Sequence, residues 1–336
     1  MKKIWFDIIN PPNVHFFNSI KDELPYDKIF TVRKKDENYG LCEYYGINCE
    51  YIGKEYKNKI AKNFNIFIRS FNLYTKINFD YAVGFENPMS VLVGKMKRKK
   101  VILICDNDLK LYQKNTLVQD IETKIKSLTD YFIIPRFCYD IFIKKYDSRK
   151  IRFFNGFKED IYIANYKPDP LFLNIIPFQE YIIIRPEALF SYYIKDKVSI
   201  VKELIELFLK ENYNIIYLPR DNVEYNFINS DKQIHIPDKP LNGLDLCYYS
   251  QAVLTGSGTM SREAAIMGKP AISFFPSDNL LSVDRELISE GRILHSRKPM
   301  EILDHIVNKK FKCIKNDSSL VKAEFIDIFN SLLKEE

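Results

Sequence analysis

Residues 252 to 272 read Ala252-Val253-Leu254-Thr255-Gly256-Ser257-Gly258-Thr259-Met260-Ser261-Arg262-Glu263-Ala264-Ala265-Ile266-Met267-Gly268-Lys269-Pro270-Ala271-Ile272, and their types and order suit the binding of an anion. The pattern is a strand, a glycine-rich turn, a helix over Thr259 to Met267, a glycine at its end, and a proline leading into another strand. Two glycines let the backbone approach a ligand closely, and a helix N-terminus aims N–H groups and the positive end of its dipole at the same point. A phosphate fits there. With Thr259 as N-cap, the capping-box position falls on Arg262, which leaves the Glu263 carboxylate for a ribose diol. The plainer alternative is a tight connection in which Ala264 and Ala265 serve close helix–sheet packing. No G-x-x-x-x-G-K-[ST] occurs and no G-x-G-x-x-G follows the first strand, so P-loop and ordinary dinucleotide readings lose support.

Ligands of open α/β sheets collect outside the carboxyl ends of the strands. Past the first strand stand Asn10, Pro11, Asn13 and His15, the last near a helix N-terminus whose field lowers an imidazole pKa and favours a neutral ring. His15 is therefore a candidate general base; the alternative is a hydrogen bond to the Asn-Pro-Pro turn. Glu86 follows Val83-Gly84, and Asn87 as N-cap with Pro88 at the first helical position leaves its carboxylate for a ligand. Asp106 and Asp108 follow the next strand as candidate acids or bases, or as solvated turn residues. Asp106-Asn107-Asp108 also matches D-x-D, a metal–diphosphate pattern, but short matches arise easily and the 4 histidines are dispersed, so no metal is expected. Arg185 and Arg220 each end a strand in the second half, where a guanidinium suits phosphate oxygens; the alternative is an ion pair with Glu187 or Asp221.

Short runs of Ile, Val, Phe and Tyr alternate with longer amphipathic segments, the pattern of βαβ units around parallel sheets. Strands are expected over Lys3 to Ile9, Lys28 to Val32, Cys49 to Ile52, Asp80 to Gly84, Val101 to Cys105 and Tyr131 to Pro135, then over Tyr181 to Ile184, Asn214 to Leu218, Gln233 to Ile236, Ala252 to Thr255 and Ala271 to Phe274. A long helix is expected over Tyr56 to Ile77, with Ile60, Phe64, Phe67, Phe71 and Tyr74 as its core face and Arg69 elsewhere on the wheel. Further helices are expected over Lys195 to Lys210 and Asn242 to Tyr249. Tyr166-Lys167-Pro168-Asp169-Pro170 breaks the periodicity. The expected domains are 1–165 and 166–315, with 316–336, including a helix over Leu320 to Leu333, packing back on the first.

Hydrophobic residues at 46% and charged residues at 28% exclude a disordered chain. Cysteines at 42, 49, 105, 138, 247 and 313, with no C-x-x-C, suggest reduced thiols in a cytosol. No window approaches the roughly 20 apolar residues of a membrane span, so membrane contact is expected only at the periphery. Charge is uneven: 29 basic against 20 acidic residues through Asn165 give +9, and the remainder is −3. The run Lys95-Met96-Lys97-Arg98-Lys99-Lys100 is a solvated helix end or else meets an anionic surface. A bilayer presenting a polyprenyl phosphate suits it better than nucleic acid, for which no module signature is present.

The segment from Gly256-Ser257-Gly258-Thr259 through Glu263, Gly268 and Pro270 resembles the nucleotide-sugar signature in the C-terminal domain of GT-B enzymes. These include the lipid-linked N-acetylglucosaminyltransferase of peptidoglycan synthesis and the non-hydrolysing UDP-N-acetylglucosamine 2-epimerases. Trp5 through Phe17, Asn155-Gly156 with Lys158-Glu159, Arg185-Pro186-Glu187-Ala188, Leu218-Pro219-Arg220 and Gly258-Thr259-Met260 with Arg262-Glu263-Ala264-Ala265 more closely resemble a largely archaeal GT-B-like family, domain of unknown function 354. Asn13 stands where that family is expected to carry His. The resemblance implies an α/β, GT-B-like fold of two Rossmann-like domains facing across a cleft. It implies nucleotide-sugar binding by Arg185, Glu187, Arg220, Gly256, Ser257, Gly258, Thr259, Met260 and Glu263. Catalysis would fall to His15, Glu86, Asp106 or Asp108, with Asn10, Pro11 and Asn13 in the acceptor loop. The expected activity is metal-independent glycosyl transfer from a nucleoside diphosphate-sugar to a glycan or lipid-linked acceptor, without a separate cofactor, in the cytoplasm or at the inner membrane face. The alternatives are a nucleotide-sugar 2-epimerase and a non-catalytic nucleotide-sugar-binding protein.

Overall fold

The computed structural model describes residues 1–34, 36–54, 59–112, 117–187, 198–220, 222–314 and 317–335. The first unit comprises Met1–Asn165 and Asp317–Glu336, the second Tyr166–Asn316. In the first, the apolar runs form β1 (Lys3–Ile8), β2 (Asp27–Lys34), β3 (Cys49–Lys54), β4 (Tyr81–Phe85), β5 (Lys100–Ile104), β6 (Tyr131–Pro135) and β7 (Ile151–Phe154). All pair in parallel, in the order β3-β2-β1-β4-β5-β6-β7. Helices α1 (Pro11–Ile20), α2 (Asp36–Tyr44), α3 (Lys59–Lys76), α4 (Pro88–Met96), α5 (Leu109–Tyr112), α6 (Leu117–Lys126), α7 (Tyr139–Phe142) and α8 (Lys158–Ile163) connect them. Strands covered on both faces cannot alternate, which is why β4 is buried at every position.

The second unit holds β8 (Ile182–Arg185), β9 (Ile215–Tyr217), β10 (Ile234–His235), β11 (Ala252–Thr255), β12 (Ala271–Ser273) and β13 (Ile293–His295), parallel in the order β10-β9-β8-β11-β12-β13. Its helices are α9 (Val201–Lys210), α10 (Gly243–Tyr249), α11 (Gly258–Ile266), α12 (Ser282–Ser289) and α13 (Pro299–Val307). Residues 195–197 of the helix expected to start at Lys195 lie outside the described residues. The edge strands β7 and β13 were not expected from the sequence, being short and interrupted by Arg152 and His295. Each sheet reverses its strand order once among its inner strands, between β1 and β4 and between β8 and β11. Such switch points open a crevice at the carboxyl ends of the strands.

The last helix, α14 (Ser318–Lys334), belongs to the first unit. Phe325 meets Phe16 and Phe154 edge-on at 5.3 and 5.6 Å, and the Glu324 carboxylate accepts from the backbone and side-chain N–H groups of Asn155, both at 2.8 Å. The Pro-rich segment at the start of the second unit is pinned to α10: Asp245 accepts from Tyr166 Oη and from the Asp169 N–H at 2.9 Å.

Helix α3 departs from the expected face. Phe71 is 66% exposed and Tyr74 37%, while Arg69, Ser70, Leu73 and Ile77 are buried; the side chains of Ile60, Phe64 and Phe67 lie outside the described residues. The cause is Asp7, fully buried in β1. A buried carboxylate needs a cation and donors. Arg69 supplies two bonds to it, at 2.5 and 2.8 Å, with Thr31 Oγ1 and Asn87 Nδ2 donating at 2.6 Å each. Trp5 Nε1 donates to Thr31 at 2.8 Å, and Arg69 Nε to the Ile52 carbonyl at 2.7 Å, closing a buried network across β1, β2, β3 and α3. The helix turns its arginine inward and leaves an apolar row outside.

Candidate functional site

At the switch point of the second unit the turn after β11 approaches the turn after β8. A Cβ on Gly256 would lie 2.5 Å from Glu187 Cα and 2.8 Å from its backbone nitrogen, and backbone cannot yield, so only glycine lets the two turns meet. The Gly256 N–H donates to the Arg185 carbonyl at 3.0 Å, and the Ser257 N–H to Thr255 Oγ1 at 2.9 Å. Helix α11 then starts at Gly258 with no side-chain cap on its first amides. Ser261 Oγ turns away from them, donating to the Gly258 carbonyl at 2.9 Å. Half-buried Ser257, Gly258 and Thr259 thus front an uncapped helix N-terminus, a partial positive charge with N–H groups that seek an acceptor.

Arg185 ends β8 directly beside Thr255 in register, and its buried Nε has no acceptor among the described residues. Arg220 is exposed; its Nε donates to the Pro186 carbonyl at 3.1 Å and its N–H to Glu224 at 2.6 Å, so it braces the turn after β8. Glu187 meets no solvent, and its carboxylate accepts from Arg297 at 3.0 Å, Ser199 Oγ at 2.8 Å and the Ile200 N–H at 3.3 Å. Its place is to support the turn, not to touch a ligand. The Met260 side chain is likewise buried, leaving its backbone in the first turn of α11. Glu263 is buried one turn further on. Burial pushes the Cys247 thiol on α10 well up; Glu263 adds to the shift and Arg185 opposes it, so both charges act at that point. Arg262 is buried beneath the turn, paired to Asp284 of α12 at 2.6 Å.

At the first unit's switch point, Asn10 precedes Pro11 and Pro12, and Asn13 Oδ1 accepts from the Asn10 N–H at 3.1 Å, so this helix N-terminus is tied up by its own side chain. His15 is buried, with Nδ1 2.8 Å from Tyr45 Oη and its ring stacked on Tyr162 at 5.9 Å. Burial, and not the helix field, pushes the imidazole down to about 4. Glu86 adopts φ +54 and clamps the next turn: Oε1 accepts from the Asp106 and Asn107 N–H groups at 2.9 and 2.8 Å, and Oε2 pairs with Lys126 at 2.6 Å. Asp106 is buried against Lys158 Nζ at 2.6 Å, and Asp108 is fully buried. Among the described residues, no three His, Cys, Asp or Glu side chains gather as a metal site.

His15, Tyr45, Tyr162, Lys158 and Asp106 are thus brought together on neighbouring elements of one unit, whereas Glu86 and Asn13 are drawn into holding turns. Tyr45, Tyr162 and Lys158 were not singled out for a role in the sequence. The usable signal was Lys158-Glu159-Asp160 after Gly156, three consecutive charges in a helix that is buried along most of its length. The basic run is mostly spent inside the fold: Lys95 pairs with Asp130 at 2.5 Å, Lys97 donates to the Ile77 carbonyl at 2.5 Å, Lys99 pairs with Asp80 at 3.3 Å, and Lys100 donates to the Leu332 carbonyl at 3.1 Å. No helix among the described residues is long and apolar enough to cross a membrane.

A model of the family described as protein of unknown function (DUF354) matches residues 2–333. The uncharacterized protein MJ0665 of Methanocaldococcus jannaschii is 26% identical over 323 residues, 90% of each chain. Among solved structures, this chain is similar to Staphylococcus aureus MnaA in its co-structure with UDP (TM-score 0.74, 13% identity, 100% of this chain and 99% of that one). It is similar to the UDP-GlcNAc 2-epimerase of M. jannaschii (TM-score 0.70, 16% identity, 98% and 99%). It is also similar to Anabaena Alr3699/HepE in complex with UDP and glucose (TM-score 0.61, 11% identity, 99% and 98%). At these identities the likeness is one of fold: two parallel-sheet Rossmann-like units, the GT-B class.

Proposed function

The chain belongs to the DUF354 family, and from that membership together with the turn after β11 we propose that it is an enzyme acting on a nucleoside diphosphate-sugar. The observation that carries this reading is the uncapped start of α11 beside an arginine whose buried Nε has no acceptor. Both features favour a pyrophosphate, and neither is explained by packing. Solved structures of the same fold with UDP, UDP-GlcNAc or UDP-glucose bound support the ligand class.

In glycosyl transfer the bond from the anomeric carbon to the diphosphate oxygen breaks, and negative charge grows on the leaving group. The amides of Gly258 and Thr259 with Arg185 neutralise it. Glu263 receives the ribose hydroxyls, and Arg220 and Glu187 keep the turn after β8 in place. Asp106, held by Lys158, and His15, which burial keeps neutral, are the groups placed to take the acceptor proton. The Asp106–Lys158 pair also favours a second reading, 2-epimerisation, in which the diphosphate leaves C1 as the C2 proton is removed, and both then add back across the double bond with the proton on the opposite face of C2. Incubation with UDP-GlcNAc in deuterated buffer separates the two. Deuterium at C2 without an acceptor supports epimerisation, and UDP release only when a glycan or lipid-linked acceptor is added supports transfer. Calorimetry showing no binding of UDP or any UDP-, GDP- or dTDP-sugar overturns both.

A further inference from the structure

Two of the chain's cysteines are neighbours on adjacent elements. Helix α2 packs along β3 so that the Tyr39 and Tyr51 rings lie 5.2 Å apart. One turn further along the helix stands Cys42, and two residues back on the same face of the strand stands Cys49. Between them the chain reverses through Gly46 at φ +59, and the Ile47 N–H donates to the Cys42 carbonyl at 2.9 Å, which brings the strand back alongside the last turn of the helix. Cys42 is buried, whereas half-buried Cys49 opens β3, an edge strand of its sheet, so a reagent reaches Cys49 first. The neighbouring Cys42 thiol, with help from Tyr51 and against the effect of burial, holds Cys49 down to about 6, and Cys49 together with burial pushes Cys42 up. Burial pushes Cys105, Cys138 and Cys247 well up, which keeps them inert.

We propose that Cys42 and Cys49 form a reversible disulfide clasp, closed by low-molecular-weight disulfides such as glutathione disulfide. The Cys49 thiolate attacks one sulfur of the reagent, whose S–S bond breaks and releases one glutathione thiolate. Cys49 then carries no charge beside Cys42. Cys42 passes its proton to the released thiolate and attacks the Cys49 sulfur, expelling the second glutathione as its thiolate. Two protein thiols are oxidised to one disulfide, and one glutathione disulfide is reduced. The bond ties the last turn of α2 to the edge strand just before Tyr45, whose hydroxyl stands 2.8 Å from His15 Nδ1, so the clasp lies close to the candidate site. The inference does not depend on the nucleotide-sugar reading.

The test is peptide mapping of the full chain after incubation with glutathione disulfide near neutral pH, with free thiols then labelled by N-ethylmaleimide in denaturant. Trypsin releases both cysteines in one peptide, residues 36–54. That peptide is expected unlabelled and two hydrogens lighter than its reduced form, and it should take two labels after reduction, while Cys105, Cys138 and Cys247 stay labelled throughout. Closure should be several-fold faster in the folded chain than in urea, where the Cys49 thiol returns to its ordinary range. Cys42→Ser should stop the reaction with glutathione on Cys49, and Cys49→Ser should leave Cys42 free and labelled. Trp5 emission shows whether each variant is folded. Glutathione retained on Cys49 of the wild type, or residues 36–54 fully labelled while Cys313 carries glutathione, overturns the proposal. So does closure no faster in the folded chain than in urea, because chance encounter along a short loop then explains it.

Discussion

Burial of His15 makes the first unit sensitive to acid in a way that one substitution should remove. The imidazole has an ordinary value of 6.5 and is pushed down to about 4 in the fold, so between these values the unfolded chain binds a proton that the folded chain does not. Stability from this residue is therefore full above pH 6.5 and lost as pH falls toward 4. Integrating the two titrations from pH 7 to pH 5 gives a loss of about 2 kcal/mol. The substitution His15→Gln keeps a polar partner for Tyr45 and removes the titration. Trp5, the only tryptophan, is buried in β1 of the same unit, so its emission during urea unfolding follows this unit alone. Wild type should lose about 2 kcal/mol more than His15→Gln between pH 7 and pH 5. Parallel losses in the two proteins would refute the reasoning, since they would mean that the imidazole titrates as if in water.

Gly256→Ala forces a Cβ onto the Glu187 backbone and should cost about 1–3 kcal/mol in urea unfolding and abolish UDP binding in calorimetry, whereas retained affinity would separate the turn from the ligand. Arg185→Met should weaken UDP binding about 10- to 100-fold with little change in thermal melting. Arg69→Met strands the Asp7 carboxylate among apolar strands and should destabilise the first unit by about 3–5 kcal/mol by Trp5 emission, a loss that Asp7→Asn in the same chain partly restores. The neighbouring Cys42 thiol lowers the Cys49 pKa. Iodoacetamide at neutral pH should therefore modify half-buried Cys49 faster than exposed Cys313, and mass spectrometry giving the reverse order would leave accessibility in control.

The parallel strands and the turn after β11 were legible because each rests on local rules: uniform apolar runs for strands covered on both faces, and glycines before a helix. The face of α3 was not. Periodicity locates an apolar side but cannot tell whether that side meets the sheet. Arg69 had to be read together with Asp7, 62 positions earlier, to see which way the helix turns. The partners of Glu86 were hidden for the same reason: an N-cap at Asn87 does free that carboxylate locally, yet the amides of Asp106 and Asn107 and the amine of Lys126 claim it from other elements. His15 was placed near a helix start by its two prolines, but the cause of its shift is enclosure by side chains such as Tyr45, just past α2, and Tyr162 of α8.

The two units share one topology and use its switch point in opposite ways. In the first, the crevice ends are filled by the chain itself: Asn13 ties the turn after β1, Glu86 ties the turn after β5, and Asp7, Arg69 and Asn87 lock the strands beneath. Those bonds fix positions, which suits side chains that must act on a reacting atom from a set place. In the second, the corresponding turn is braced from behind by Glu187, Arg297 and Arg262 while its front carries an uncapped helix and an arginine nitrogen without an acceptor. An arginine nitrogen without an acceptor beside an uncapped helix start is a place that an anion from outside the chain would complete. On the proposed function, the anion falls to the second unit and proton transfer to the first. Capping α11 from within, by Ser257→Asp, should cost UDP affinity while raising the melting temperature of the unliganded protein.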